Sequence, residues 1–174
     1  MTGALTLVVG DLLRRSGRSR ETSLKAVLDD LVVLGTRVPE GEPVQVELRL
    51  ESVNEGIVAT GTVRAPWESI CRRCLRPVAD VLEVPVMEVF EADPTEGETL
   101  PLDGVDIDVE PVAREAVLLG LPLAPVCRED CQGLCASCGI DRNEADCDCA
   151  VEVADHRWAA LDELRFDTPE GDDT

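Results

Sequence analysis

Hydrophobic and polar residues alternate most cleanly just after Pro43, where Val44, Val46, Leu48 and Leu50 are interleaved with Gln45, Glu47, Arg49 and Glu51. A period of two marks a strand with one buried face. Asn54-Glu55-Gly56 supplies a turn, and Ile57 to Arg64 is rich in Val and Thr, so residues 43–64 read as a hairpin. Ala4 to Val9 predicts an earlier strand that runs through Asp11-Leu12-Leu13 into a group of arginines. Residues 21–38 mix apolar and charged positions without a period and are expected to be mostly irregular. Val78 to Phe90 has strand composition, and Pro85 places it at a sheet edge or interrupts it with a bulge. Glu91 to Gly104 predicts a mobile acidic loop, and Val105, Ile107 and Val109 predict one more short strand. Pro111 to Leu119 reads as a helix: proline suits the first turn, Gly120 suits the end, and Val112, Ala116 and Leu119 fall at i, i+4 and i+7.

Periodicity is lost in the last third. From Cys127 to Cys149 there is hardly an apolar side chain to build a core, so something other than burial must order this stretch. Asp155 to Leu164 predicts a short closing helix with Trp158 and Leu161 on one side. The expected fold class is α+β: an antiparallel β-rich N-terminal core with one or two short helices and a zinc-stapled C-terminal segment. The expected division is a core over 1–126 that includes the first cysteine pair, a cysteine-rich segment over 127–166 packed on it, and an acidic tail over 167–174.

Eight cysteines in four close pairs supply the missing order: Cys71 with Cys74, Cys127 with Cys131, Cys135 with Cys138, and Cys147 with Cys149. Four thiolates complete a closed tetrahedral zinc site, so eight make two structural zincs, and metal ligation contributes folding free energy outright. A disulfide framework belongs to exported proteins. Here the N-terminal stretch lacks a basic region, and no run approaches the ~20 apolar residues of a membrane span. The expected location is therefore cytoplasmic. An iron–sulfur cluster also takes four cysteines, but two separated pairs with a compact knuckle look more like zinc ribbons. Three pairings into two sites exist, and locality selects one. Cys135, Cys138, Cys147 and Cys149 lie within fifteen residues, with Gly139 permitting a tight turn under the thiolates. Cys71 and Cys74 then join Cys127 and Cys131 in a non-local clip, which removes more chain entropy than a local one.

Composition excludes several functions. The net charge of −20, from 36 acidic and 16 basic residues in 174, leaves no broad phosphate-neutralising face. Trp67, Phe90, Trp158 and Phe166 are the only aromatics, too few for a base-stacking platform. Two arginine groups stand out against the acidic background: Arg14, Arg15, Arg18 and Arg20, and then Arg72, Arg73 and Arg76 around the first cysteine pair. These seven are candidate phosphate or RNA contacts, since guanidinium suits bidentate phosphate binding. The alternative is solvated loops, or charges that offset the net −2 of a four-thiolate zinc. His156 reads as a surface or helix-cap residue rather than a ligand. No nucleophile–base order stands out, and a closed zinc lacks the open position that hydrolysis needs. No catalytic residue, small-molecule substrate or membrane contact is expected.

The runs Cys71-Arg72-Arg73-Cys74-Leu75-Arg76-Pro77, Leu121-Pro122-Leu123-Ala124-Pro125-Val126-Cys127 and Cys131-Gln132-Gly133-Leu134-Cys135-Ala136-Ser137-Cys138-Gly139 together resemble the bacterial YceD family, known as large ribosomal RNA subunit accumulation proteins. The resemblance spans most of residues 5–165. It implies a role in accumulation or processing of 23S ribosomal RNA, and so a partner that is a large-subunit rRNA precursor or a basic large-subunit ribosomal protein. Some branches of that family have histidines where this chain has Cys127 and Cys131, and lack the last two pairs, in agreement with the pairing above. The alternative function is a thiol-based redox switch or stress chaperone that releases zinc on oxidation.

Overall fold

A computed structural model describes residues 3–14, 17–54 and 56–149. It divides into two compact units, residues 1–131 and residues 132–174.

Among the described residues, the first unit is built on one sheet of nine strands. In chain order these are β1 (Thr6–Val8), β2 (Ser19–Ala26), β3 (Val32–Val33), β4 (Thr36–Arg37), β5 (Val44–Val53), β6 (Gly56–Ile70), β7 (Pro77–Glu91), β8 (Leu100–Asp103) and β9 (Asp106–Asp108); the helices are α1 (Gly10–Leu13) and α2 (Glu110–Gly120). The main path is β1-β9-β8-β7-β6-β4-β3, with β2 and β5 joined to the side of β6. Strand β6 is the spine. One side pairs with β7 over its whole length, from Gly56↔Glu91 to Ile70↔Pro77, while the other side is shared between β5 and, further along, β4.

The clean alternation after Pro43 does what the period requires. Val44, Val46, Leu48 and Leu50 are buried, and across the ladder Ile57, Ala59, Val63 and Ala65 face the same core. The β5–β6 pair also demands a glycine at one point: a Cβ on Gly61 would fall inside the carbonyl of Glu47. Helix α2 lays Val112, Ala113, Ala116 and Val117 into the core, with Pro111 in its first turn as expected.

Four expectations need correction. Residues 21–38 are not irregular: β2 pairs with β5 along eight residues, and β3–β4 form a tight hairpin. The period was invisible because the half-buried positions of this edge strand begin with Arg20 and Thr22, so the ladder rather than burial holds it. The stretch Glu91 to Gly104 is not all loop, since Leu100 and Leu102 anchor β8. The sheet is mostly rather than wholly antiparallel: β7 and β8 run parallel at Phe90↔Leu100 and Glu91↔Pro101. Leu119 lies on the Val112 stripe of α2 yet is 78% exposed, because it stands at the open rim of a cleft beside β7 while Val117 and Leu121 turn into the core. Pro85 sits in β7 where, among the described residues, no strand flanks it on the side away from β6, the edge position that its missing N–H favours.

In the second unit the described residues, 132–149, contain no helix or ladder beyond the bridge between Leu134 and Asp141. Its backbone is held by turns, with Arg142 N–H on the Gly133 carbonyl and Glu144 N–H on that of Asp141. The expected helix at Asp155 to Leu164, with His156 and Trp158, and the acidic tail lie outside the described residues. Among the described residues, no helix is long and apolar enough to cross a membrane.

Candidate metal centres

Strands β6 and β7 are joined by Cys71 to Arg76, so the first cysteine pair is the tip of the long hairpin. The tip is a knuckle. Cys71 donates its N–H to the Arg76 carbonyl at 2.7 Å, and Leu75 donates to the Cys71 carbonyl at 3.0 Å. Between them the amides of Arg73 and Cys74 turn inward, 3.4 and 3.5 Å from Cys71 Sγ. Closing the turn requires Leu75 to adopt a left-handed backbone, φ 60.

The second pair of this cluster follows α2. Cys74 Sγ lies 3.6 Å from Cys127 Sγ and Cys71 Sγ lies 3.9 Å from Cys131 Sγ; all four sulfurs are within 4.8 Å of one another. Four sulfurs at about 2.3 Å from one tetrahedral ion stand about 3.8 Å apart, so the spacing fits a single ion at the centre. Cys71, Cys74 and Cys131 are buried, and Cys127 is exposed.

Cys135, Cys138, Cys147 and Cys149 form the other cluster, with sulfurs again within 4.8 Å. The knuckle repeats. Cys135 N–H donates to the Ile140 carbonyl and Gly139 N–H to the Cys135 carbonyl, both at 2.8 Å, and Gly139 takes the left-handed turn at φ 74.

The two clusters share an electrostatic design. The Cys74 amide, ahead of those of Cys127 and Arg73, holds the Cys71 thiol down at about 6. Hydrogen bonding with Cys74, reinforced by burial, pushes Cys127 up to about 12. In the second cluster the amides of Cys138 and Ser137 hold Cys135 at about 6, while Cys138 pushes Cys149 up to about 12. Each knuckle thus presets one thiolate. Further ionisation within the same few ångströms calls for a cation, and each group of four could hold a metal ion.

The arginines have structural employment. Arg72 Nη2 donates to the carbonyls of Leu34 and Leu123, at 3.1 and 2.9 Å, and its own N–H reaches the Pro125 carbonyl. Arg73 Nη1 donates to the carbonyls of Glu129 and Cys131, both at 3.0 Å, so it grips the loop between Cys127 and Cys131. Arg76 contributes its carbonyl to the knuckle. Arg20 binds Asp11 and the Val8 carbonyl; Arg14 and Arg18 are exposed, and Arg15 lies outside the described residues. The structure does not merge the two groups. Arg20 is level with Ala59 of β6 through Leu50, whereas the knuckle follows Ile70, about 35 Å further along the strand at ~3.3 Å per residue.

Sequence reasoning missed the role of Leu75 and the clamping by Arg72 and Arg73. The first had a signal, since Leu75 and Gly139 each stand four residues after the first cysteine of a CxxC. The clamps had none, because their carbonyl partners are remote in sequence.

A family model described as large ribosomal RNA subunit accumulation protein YceD matches residues 59–165. Uncharacterized proteins of Mycobacterium bovis and Mycobacterium tuberculosis are 40% identical over 134 residues, covering 73% of this chain and 64% of each relative. The chain thus spans about two thirds of their length or slightly less. A protein of Arabidopsis thaliana named large ribosomal RNA subunit accumulation protein YCED homolog 1, chloroplastic, is 26% identical over 160 residues, covering 73% of this chain and 50% of that one. No solved structure matches the chain at a significant level.

Proposed function

Because the chain belongs to the YceD family of large ribosomal RNA subunit accumulation proteins, we propose that it is a non-enzymatic factor that supports 23S rRNA accumulation and large-subunit assembly, built around two structural zinc ions. The observation that carries this reading is the family match over residues 59–165, which includes all eight cysteines. Zinc is favoured by the donor set. Thiolates select soft or borderline metals, and four at this spacing close the coordination sphere of one ion. An iron–sulfur cluster seats its cysteines on different irons and needs them further apart.

A closed site has no place for a substrate or an activated water, so the metals act on shape. The first ion pins the β6–β7 tip to the segment after α2; the second orders a stretch with almost no core of its own. The contact is with a large-subunit rRNA precursor or with a basic large-subunit ribosomal protein. A net charge of −20 supports the ribosomal protein, whose basic surface the acidic faces would shield until it meets RNA.

Depletion of the protein in its own host, followed by quantification of 23S rRNA against 16S rRNA and of 50S particles, tests the reading. A selective fall in 23S rRNA and 50S particles is expected. Unchanged levels of both would overturn it.

A further inference from the structure

Among the described residues strand β7 has an edge unpaired before Phe90, and its polarity can be read from Pro85 and from Pro66 of β6. Only hydrogen-bonded pairs of an antiparallel ladder exchange N–H and C=O, and proline has no N–H to give. Pro85 faces Thr62 and Pro66 faces Val81, so both pairs are non-hydrogen-bonded, and the odd residues of β7 turn their backbone groups away from β6. Val81 confirms the parity. Its N–H goes to the Asp80 carboxylate at 2.7 Å instead of into the ladder. On this outward side, strand pairing begins only at Phe90, so Glu83 to Met87 presents backbone groups with no strand beside them among the described residues.

A cleft of about 200 Å³ lies between this edge and α2. Its walls are apolar, from Val84 and Val86 to Val112 and Ala116, and at its rim Met87 and Leu119 are 70% and 78% exposed. Glu88 and Glu115 also line it. Neither carboxylate has a cationic partner among the described residues. The cleft therefore combines apolar walls, two uncompensated negative charges and an open row of main-chain donors and acceptors.

We infer that the cleft between β7 and α2 docks an extended, basic segment of a partner protein, which adds to the β7 edge as a strand: on the face toward α2 its cationic side chains meet Glu88 and Glu115 with their aliphatic stems over Leu119, and on the opposite face its alternate apolar side chains pack on Met87. Charge selects this occupant: a second copy of this chain would bring more carboxylates to the same place. Strand addition supplies affinity through the main chain and specificity through alternate side chains. The inference deepens the reading in which a basic ribosomal protein is the partner.

A fluorescent peptide of alternating lysine and valine, titrated by anisotropy at physiological salt against the full zinc-loaded chain, tests it. The variant Glu88→Lys/Glu115→Lys should weaken binding by about tenfold or more, as loss of two close charge pairs does. The variant Glu96→Lys/Glu98→Lys has the same net charge but alters the β7–β8 connection, and should change binding less than about threefold. Leu119→Ser should weaken binding, and Leu123→Ser, exposed elsewhere, should not. Equal loss in the two charge-reversal variants, or a labelled RNA oligonucleotide of equal length that binds the chain without the peptide and loses that binding in Leu119→Ser, would overturn the inference. The two readings fail separately. If depletion lowers 23S rRNA and Glu88→Lys/Glu115→Lys restores it fully, docking falls and the function stands; if depletion changes nothing while the peptide binds at the cleft, the function falls alone.

Discussion

Leu75 and Gly139 hold the same position in two separate knuckles: each follows the first cysteine of its pair by four residues, each is left-handed, with φ 60 and 74, and each donates its N–H to that cysteine's carbonyl. Glycine takes this conformation freely, whereas a residue with a Cβ is strained by roughly 1–2 kcal/mol. Leu75 is moreover 58% exposed, so burial does not offset the strain. Leu75→Gly should stabilise the zinc-loaded chain by about 1 kcal/mol, with Gly139→Leu weakening the second knuckle by a similar amount. Urea titration followed by metal release measures both.

Arg73 joins the knuckle to the opposite ligand loop through two carbonyls. Arg73→Ala should speed release of the first ion to a chelator about tenfold, the effect of losing charge-assisted hydrogen bonds totalling ~1.5 kcal/mol, and leave the second ion unchanged. Equal release rates in variant and parent would mean that the guanidinium is free for another task.

Metal affinity should depend on pH with a definite sign. Cys71 and Cys135, held at about 6, are largely thiolate at neutral pH, whereas Cys127 and Cys149, pushed up to about 12, keep their protons until the metal displaces them. Below about pH 6 Cys71 and Cys135 are protonated too, so each ion must then displace one more proton and binding weakens more steeply. Calorimetry in buffers of different ionisation enthalpy should show proton release per ion rising by about one between pH 7 and pH 5.

Gly61 has no room for a side chain beside the Glu47 carbonyl. Gly61→Ala must push β5 from β6 at the centre of the sheet and should cost about 3 kcal/mol or more, read as a lower denaturation midpoint. A change under about 0.5 kcal/mol, the size of an ordinary surface substitution, would contradict this close approach.

How much of this was legible in the chain varies with the physics that holds each part. Strand β5 declared itself because its buried face is apolar at every second residue, β6 and β7 by their strand composition, and α2 because proline and glycine bracket an apolar stripe. Both cysteine quartets were legible because four pairs make two sets of four and locality selects the grouping, the same one the structure brings together. Strand β2 was not, because backbone pairing with β5 stabilises it and its half-buried positions start with Arg20 and Thr22. Nor was the parallel contact of β8, which depends on the path that the chain takes after Glu91. Arg72 and Arg73, candidate phosphate contacts in the sequence, are held on carbonyls that only the fold brings near, and that clamping was not legible.

Zinc content tests the central claim most directly, measured on the purified full chain and on Cys71→Ser and Cys135→Ser. Two independent four-thiolate centres predict two ions per chain in the parent and one in each variant, the survivor in Cys71→Ser being the Cys135 cluster and the reverse in Cys135→Ser. A parent chain that folds without metal, or a single substitution that empties both clusters, would contradict it.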